Sequence, residues 1–210
     1  MSQVPPGISA PNDPYRGRNA GAAFTGLSSG TRWVYLALVV ASVAGFCATV
    51  GLWTAAFIGA EHARPDQSLL TAGIIVLLVT VAFLYAHIFV GLYWVYTAWQ
   101  WLPPEQRYSR HWRSWITPGH AALLLLVPYF HYYWMFVVNC GLCDALDRMR
   151  VTYPTSEAAP KNLAITAGVC QIVVPLPVGA IMWLVFMSKI ERMTREMSHA
   201  NLPAMPAHSV

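Results

Sequence analysis

Four long stretches of the chain carry no charged side chain. No Asp, Glu, Lys or Arg occurs in residues 33–60, 67–104, 114–143 or 162–188. About 20 mostly apolar residues are enough for a helix to cross the hydrocarbon core of a bilayer. A segment in lipid must satisfy its own backbone hydrogen bonds, and segments of this length do so as α-helices. The sequence therefore predicts an all-α, polytopic membrane protein, a four-transmembrane-helix bundle. The predicted spans are about 33–60, 69–99, 118–143 and 162–188.

Composition supports the membrane class and excludes several others. Hydrophobic residues make up 56% of the chain and charged residues 10%, whereas soluble domains carry about 25% charged residues. The net charge is +4, and the basic residues flank the predicted spans. Basic residues in such positions set orientation and contact anionic headgroups. The predicted partner is therefore the lipid bilayer, and nucleic acid is not expected.

The connecting segments have their own patterns. Residues 1–31 and 198–210 are rich in small and polar residues, which predicts disordered tails on either side of a membrane domain over 32–197. Between spans 2 and 3, arginines recur every third residue and aromatic residues fall on one helical face over 105–115. This pattern predicts an interfacial helix. Thr117 and Pro118 have the residue types of an N-cap and a first helical residue.

Orientation follows from the Lys and Arg counts on the two sides of a four-span topology. One side has nine basic residues, at positions 16, 18, 32, 107, 110, 113, 189, 192 and 195. The other side has four, at positions 64, 148, 150 and 161. Because the side with more Lys and Arg faces the cytoplasm, both termini are predicted to be cytoplasmic.

Predicted spans 3 and 4 each contain a polar or broken centre. His131 lies near the middle of span 3, three residues after Pro128, and Pro175 and Pro177 lie near the middle of span 4. Interrupted helices at one depth are how transporters build midplane binding sites. The plainer interpretation is that these prolines only bend the helices and that His131 hydrogen-bonds within the bundle.

Two further patterns suggest redox chemistry. His87 in span 2 and His131 in span 3 are candidates for the two axial ligands of a b-type haem. Cys140 and Cys143 form a Cys-x-x-Cys pair at the end of span 3, the arrangement of a thiol oxidoreductase. Neither pattern is complete, since nothing in the sequence fixes the register of spans 2 and 3, and a second cysteine pair for passing electrons on is missing. No metal site is predicted.

Aromatic rings surround His131. Tyr133 and Trp134 belong to a run that suggests either a ligand cage or packing between helices, and the mixed directions of consecutive residues favour packing. Within the four predicted spans there is no Asp, Glu, Lys or Arg. A proton-coupled or charged-substrate pathway usually has such groups, so these pathways are not expected.

The stretch around span 3 resembles a family of uncharacterised bacterial multi-span inner-membrane proteins, some of which are joined to GYF-like modules. The shared pattern is Thr-Pro-Gly, an apolar run, Pro with two aromatic residues, Asn, Tyr-Trp, Phe and Gly-Leu. Here it is matched by Thr117-Pro118-Gly119, Pro128, Tyr129-Phe130, Tyr133-Trp134, Phe136 and Gly141-Leu142. His131 stands where the pattern has Asn, and the two cysteines lie outside it. The resemblance implies a bacterial inner membrane location and no particular activity.

These patterns together predict a non-catalytic integral membrane protein, an accessory, assembly or small-ligand-binding component that acts through a protein partner or as a homo-oligomer. One alternative is a small intramembrane redox protein using Cys140 and Cys143 or a haem b on the two histidines. Another is an oligomeric transporter of small solutes.

Overall fold

The computed structural model describes residues 27–58, 66–173 and 175–200. In this part of the chain the fold is all-helical apart from one very small hairpin. The helices and strands are α1 Gly30–Ile58, α2 Gln67–Trp101, β1 Tyr108–Ser109, β2 Ser114–Trp115, α3 Pro118–Leu123, α4 Phe130–Met149, α5 Lys161–Val173 and α6 Ala180–Ala200. Short 3-10 turns cover Pro104–Gln106 and Leu124–Leu126, and a π-helical turn covers Pro175–Gly179.

Helices α1 and α2 are both long and apolar enough, by length and composition, to span a membrane, and they coincide with the first two predicted spans. They pack against each other through glycines. A Cβ atom added to Gly45 of α1 would collide with Thr80 of α2, and one added to Gly73 of α2 would collide with Trp53 of α1. Two helices in lipid gain no hydrophobic driving force from associating, so their association depends on close packing. Small residues promote that packing because they let the two backbones approach each other. The outward faces of this pair stay apolar and exposed over most of their length.

The segment after α2 is not the predicted interfacial helix, and that prediction over 105–115 is wrong. The chain instead forms the 3-10 turn and then strands β1 and β2, in which Tyr108 pairs with Trp115. Arg107 is the physical reason. Its guanidinium is buried and donates hydrogen bonds to the carbonyl oxygens of Leu102 and Gln100. These carbonyl oxygens lie at the C-terminal end of α2 and have no partner within the helix. Arg107 therefore caps the end of α2 and does not face headgroups.

Predicted span 3 folds as two helices that run in opposite directions. As expected, Thr117 caps α3 by accepting a hydrogen bond from the backbone N–H of His120. The chain then leaves the helical conformation before α4, and Tyr129 has a φ of 62°. The indole nitrogen of Trp134 in α4 donates to the carbonyl oxygen of Ala121 in α3, at 3.2 Å. We call residues 127–129 the first reversal.

Predicted span 4 also reverses, around its two prolines. Gly179 lies against the end of α5, where an added Cβ would be 2.9 Å from the Cα of Gln171 and 3.0 Å from the carbonyl oxygen of Cys170. A continuous helix would separate residues 171 and 179 by about 12 Å along its axis. Helix α6 therefore returns alongside α5. We call residues 175–179 the second reversal.

The two reversals bring the end of α4, the start of α5 and the later part of α6 to one end of the molecule, beside the start of α1 and the end of α2. We call residues 102–173 and 175–200 the helical base. Its core holds the large aromatic side chains of Trp134 and Phe186, and Trp94 of α2 packs against Phe186; all three are almost fully buried. The predicted tails fall mostly outside the described residues. Where they overlap, Gly30, Thr31 and residues 198–200 are helical.

A polar layer as candidate functional site

Charged side chains meet in one layer across the helical base. Arg148, near the end of α4, reaches the segment that precedes β1. Its guanidinium donates to the backbone oxygen of Gln106 at 2.7 Å, to the side-chain oxygen of Gln106 at 3.1 Å and to the backbone oxygen of Tyr108 at 3.2 Å. Partial burial lowers the pKa of Arg148, and the charge of nearby Asp144 opposes that shift. These bonds hold the far end of α4 next to the segment that follows α2.

Two aspartates of α4 join the layer to the start of α5. Asp144 forms an ion pair with Lys161 at 2.9 Å, and its other oxygen lies 3.4 Å from the Nε2 of His111. Asp147 accepts a hydrogen bond from the backbone N–H of Ala159 at 2.9 Å. The connection from α4 to α5 is therefore held to α4 by carboxylates.

The same connection is tied to α6 on its other side. Glu157 forms ion pairs with Lys189 at 3.3 Å and with Arg192 at 2.7 Å. Both basic groups lower the pKa of Glu157. Ser156 donates its backbone N–H to Glu196 at 2.8 Å. Exposed pairs of this kind contribute little stability each, but they fix which ends of α5 and α6 lie together.

One ion pair in the layer is buried. The Glu191 side chain has no solvent exposure, and Oε2 lies 3.5 Å from Nη1 of Arg32 in α1. Arg32 donates its hydrogen bond to Ser188 instead, at 2.7 Å. The indole nitrogen of Trp94 lies near the Glu191 carboxylate, but the geometry between the two groups is not that of a hydrogen bond. Burial raises the pKa of Glu191, and the charge of Arg32 partly offsets this. A carboxylate without hydrogen bonds in such a place favours its protonated form.

Sequence reasoning did not select Glu191, although a signal was present. The buried residues of α6 recur at helical spacing, and they include Trp183, Met187, Ile190 and Thr194. Glu191 lies four residues after Met187 and three before Thr194, so it belongs to the same helical stripe. Because Glu191 carries a formal charge, the apolar pattern of α6 alone does not predict that it is buried.

The two candidate haem ligands have different surroundings. The ring of Tyr35 packs edge-on against His87 with centroids 5.5 Å apart, and His131 lies against its neighbour Tyr132 with centroids 3.8 Å apart. His131 occupies the first turn of α4, directly after the first reversal, because α4 begins at Phe130. No contact between the two imidazoles occurs within 27–58, 66–173 and 175–200, and haem binding stays a prediction.

The other predicted site residues lie at the two reversals. Pro128 and Tyr133 are exposed, whereas Trp134 is buried and joins α3 to α4 through its indole nitrogen. Pro175 and Pro177 both belong to the second reversal. The prolines thus lie where the chain turns back. They lie between two helices that run in opposite directions, not in the middle of one continuous helix.

Cys140 and Cys143 are free thiols packed into the core of the helical base. Their residue exposures are 6% and 0%. Lys161 is close enough to interact electrostatically with both. Gly141 lies between them, and a Cβ atom added there would be 3.4 Å from the ring of Trp99. The pair lies at the end of α4 that contacts the segment after α2, so the two regions that the four-span topology separated are neighbours.

The interactions that this layer supplies are ion pairs and hydrogen bonds between segments. Among the described residues, no group of three or more His, Cys, Asp or Glu side chains is arranged to hold a metal ion. Comparisons with protein-family models, curated proteins and solved structures found no match to this chain.

Proposed function

We propose that this chain is a non-catalytic integral membrane protein of the bacterial inner membrane that acts through partners. In the proposed arrangement, α1 and α2 cross the bilayer and the two reversals enter one leaflet without crossing it. The helical base then lies on the cytoplasmic side. This arrangement replaces the third and fourth crossings expected from hydropathy, while both termini keep their predicted cytoplasmic side.

The distribution of basic residues is the observation that carries the topology. Ten of the 13 Lys and Arg residues lie in the described part of the chain, at positions 32, 107, 110, 113, 148, 150, 161, 189, 192 and 195. Hydrogen bonds and ion pairs gather seven of these at one end of the α1/α2 pair, and the other three, at positions 110, 113 and 150, lie in or next to the same segments. In chain order, only Arg64 belongs to the connection between α1 and α2. Such an asymmetry supports a cytoplasmic base more strongly than the nine-to-four count of a four-span topology.

The surfaces of the reversals support their insertion into lipid. At the first reversal Tyr129 is 86% exposed, with Leu126 and Val127 exposed beside it. At the second, Val173 is 71% exposed and Val178 is exposed. Apolar side chains gathered at the two tips, at the end of each hairpin away from the polar layer, match an interfacial position in a bilayer.

A partner-dependent role is supported by how the charges are used. Arg148, Asp144 and Glu157 each join two or more segments of this chain, so these charged groups hold the fold together. The exposed apolar faces of α1 and α2 offer a broad surface to other membrane helices. A scaffold that presents such a surface from a fixed base fits an accessory or assembly component.

Labelling of introduced cysteines tests this proposal. A membrane-impermeant maleimide would be applied to Val151→Cys, Ser114→Cys and Gln67→Cys in sealed vesicles of known orientation, with the unmodified chain as background. All three positions are exposed. The proposal expects Val151→Cys to react together with Ser114→Cys, from the side opposite to Gln67→Cys. Reaction of Val151→Cys together with Gln67→Cys would restore the four crossings and overturn the arrangement.

A thiol redox function is the second candidate, and the proximity of Lys161 to both thiols is the observation that favours it. A nearby ammonium group stabilises a thiolate, but Asp144, which is paired with the same ammonium group, has the opposite effect on both thiols. Burial of both cysteines works against it, because a reacting disulfide partner must reach the sulfur. If Cys140→Ser with Cys143→Ser abolishes the cellular phenotype of the chain while the folded protein accumulates normally, the redox function replaces the non-catalytic one.

A further inference from the structure

The turn between β1 and β2 has a defined geometry. The backbone N–H of Trp112 donates to the hydroxyl of Ser109 at 3.3 Å, and Arg113 adopts a φ of 53°. Since β1 and β2 pair on either side of it, the turn is held at both ends. Arg110 and Arg113 are both exposed on it.

Trp112 attaches this turn to the tip of the α3/α4 hairpin. Its ring contacts three rings of the first turns of α4, with centroid distances of 6.2 Å to Phe130, 6.4 Å to Tyr133 and 5.1 Å to Trp134. Trp112 itself remains 41% exposed and Tyr133 51% exposed. Exposed Trp and Tyr rings prefer the headgroup level of a bilayer. The turn therefore lies beside the first turns of α4, and its His111 reaches Asp144 in the polar layer.

The two arginines are not used inside the protein. Arg148, Lys161, Lys189 and Arg192 all have acidic or carbonyl partners in the polar layer, but neither Arg110 nor Arg113 has an ion-pair partner among the described residues. Arg110 also faces the positive charge of Arg148. Two guanidinium groups without ion-pair partners among the described residues, next to the exposed rings of Trp112 and Tyr133, form a surface that attracts anions.

We propose that Arg110 and Arg113, with Trp112 and Tyr133, bind the headgroups of anionic phospholipids in the cytoplasmic leaflet. The planar guanidinium group donates two parallel hydrogen bonds to a phosphate, which an ammonium group does not match. The rings of Trp112 and Tyr133 lie against the glycerol and upper acyl region. This inference rests on the proposed function, since it requires the first reversal to lie in the cytoplasmic leaflet.

Native mass spectrometry of the purified full chain tests the site. The protein would be equilibrated in detergent with equimolar phosphatidylglycerol and phosphatidylcholine, and retained lipids counted for the unmodified chain, Arg110→Gln/Arg113→Gln and Arg110→Lys/Arg113→Lys. Arg150→Gln is the matched control, because Arg150 is exposed at the end of α4. Each basic residue near an anionic surface changes binding about fivefold. We therefore expect the glutamine pair to lose about 25-fold in its preference for phosphatidylglycerol, the lysine pair to keep part of it, and Arg150→Gln to keep it.

Equal retention of phosphatidylglycerol by Arg110→Gln/Arg113→Gln and by Arg150→Gln would overturn the site. If the glutamine pair does not fold, as judged by its melting transition, the single variant Arg113→Gln and the lysine pair decide in its place. The labelling of Val151→Cys, whose side differs between the proposed topology and the four-span one, separates this result from the proposed function. Cytoplasmic labelling without lipid preference rejects only the headgroup site, whereas labelling from the other side rejects the topology as well.

Discussion

The α1/α2 pair and the helical base use apolar residues in opposite ways. In α1 and α2, the most apolar windows have mean hydropathies of 2.1 and 2.5, and only 22% and 6% of their residues are buried. In the base, α4 and α6 bury their large apolar side chains, Trp134, Leu146, Phe186 and Ile190 among them. In the proposed arrangement lipid covers the surface of the first region, whereas the second region forms its own core.

The hydrogen bonds of buried polar groups also differ between the two regions. Buried hydroxyls of the α1/α2 pair, such as Ser42, Thr49 and Thr80, donate to the carbonyl oxygen four residues earlier in their own helix. In the base, Arg148, Asp147 and Glu157 bond to segments far away in the chain. Stability in the base thus comes from contacts between elements, and single changes there are expected to have larger effects.

The largest effect is expected at the second reversal, from Gly179→Val. The new side chain would meet the backbone of Gln171 and Cys170, which cannot rotate away as a side chain does. We expect a loss of about 3 kcal/mol in the free energy of unfolding, the upper range for overpacking. Gly51→Val is the control, because open space surrounds Gly51. Thermal unfolding in detergent measures both, and equal melting temperatures would mean that α5 and α6 do not pack as described.

Arg148→Met is expected to cost about 2 kcal/mol. It removes a guanidinium that donates to three acceptors and leaves the carbonyl oxygens of Gln106 and Tyr108 without that donor, and hydrogen bonds to charged groups contribute in this range. Arg150→Met makes the same chemical change at an exposed position, where effects stay within about 0.5 kcal/mol. Limited proteolysis of the segment 104–115 reports the loss directly. Similar protease sensitivity of the two variants contradicts the role assigned to Arg148.

Gly45→Val probes the other region and is expected to cost about 1.5 kcal/mol. Its side chain would meet Thr80, whose Cβ would be 3.2 Å from an added Cβ, so α1 and α2 must separate slightly. The cost is smaller than at Gly179 because lipid accommodates a shifted helix more easily than a packed core does. Disulfide formation between cysteines introduced on α1 and α2 measures the separation. A cost equal to that of Gly179→Val would remove the contrast between the regions.

The smallest effect concerns pH and Glu191. Since burial raises the pKa of Glu191 in the folded state, the folded protein binds more protons than the unfolded chain between the two pKa values. The contribution of this group to stability is therefore full below the unfolded pKa and is lost as pH rises through the folded pKa. Arg32 and Arg195 face the carboxylate and oppose the shift.

Glu191→Gln removes this titration while keeping the shape of the side chain. We expect the variant to be about 1 kcal/mol more stable than the unmodified chain at neutral pH, the order of an unsatisfied buried group, and the difference to vanish in acid. Melting temperatures across the pH range measure it, with Glu105→Gln on the exposed 3-10 turn as the control. A loss of stability at neutral pH would show that the ion pair with Arg32 outweighs the cost of burial.

Local features of the fold followed from sequence. Thr117 and Pro118 begin α3 as predicted, and α2 ends just before Pro103-Pro104, which cannot continue a helix. Each depends on neighbours a few residues away. The prediction of a helix over 105–115 failed because the partners of Arg107 are the carbonyl oxygens that end α2, and the residue pattern does not contain that information.

Sequence by itself determined that this chain is helical, that α1 and α2 are long and apolar enough to span a membrane, and, to within a few residues, where these two helices begin and end and where α3 and α5 begin. These properties depend on local hydrogen bonding and on the length of apolar runs. Only the tertiary structure decided that residues 118–143 and 162–188 turn back on themselves. A run of apolar residues has the same hydropathy whether it continues or reverses, and the choice depends on contacts such as Trp134 with Ala121 and Gly179 with Gln171. The burial of Glu191 and the grouping of the basic residues at one end follow from those reversals.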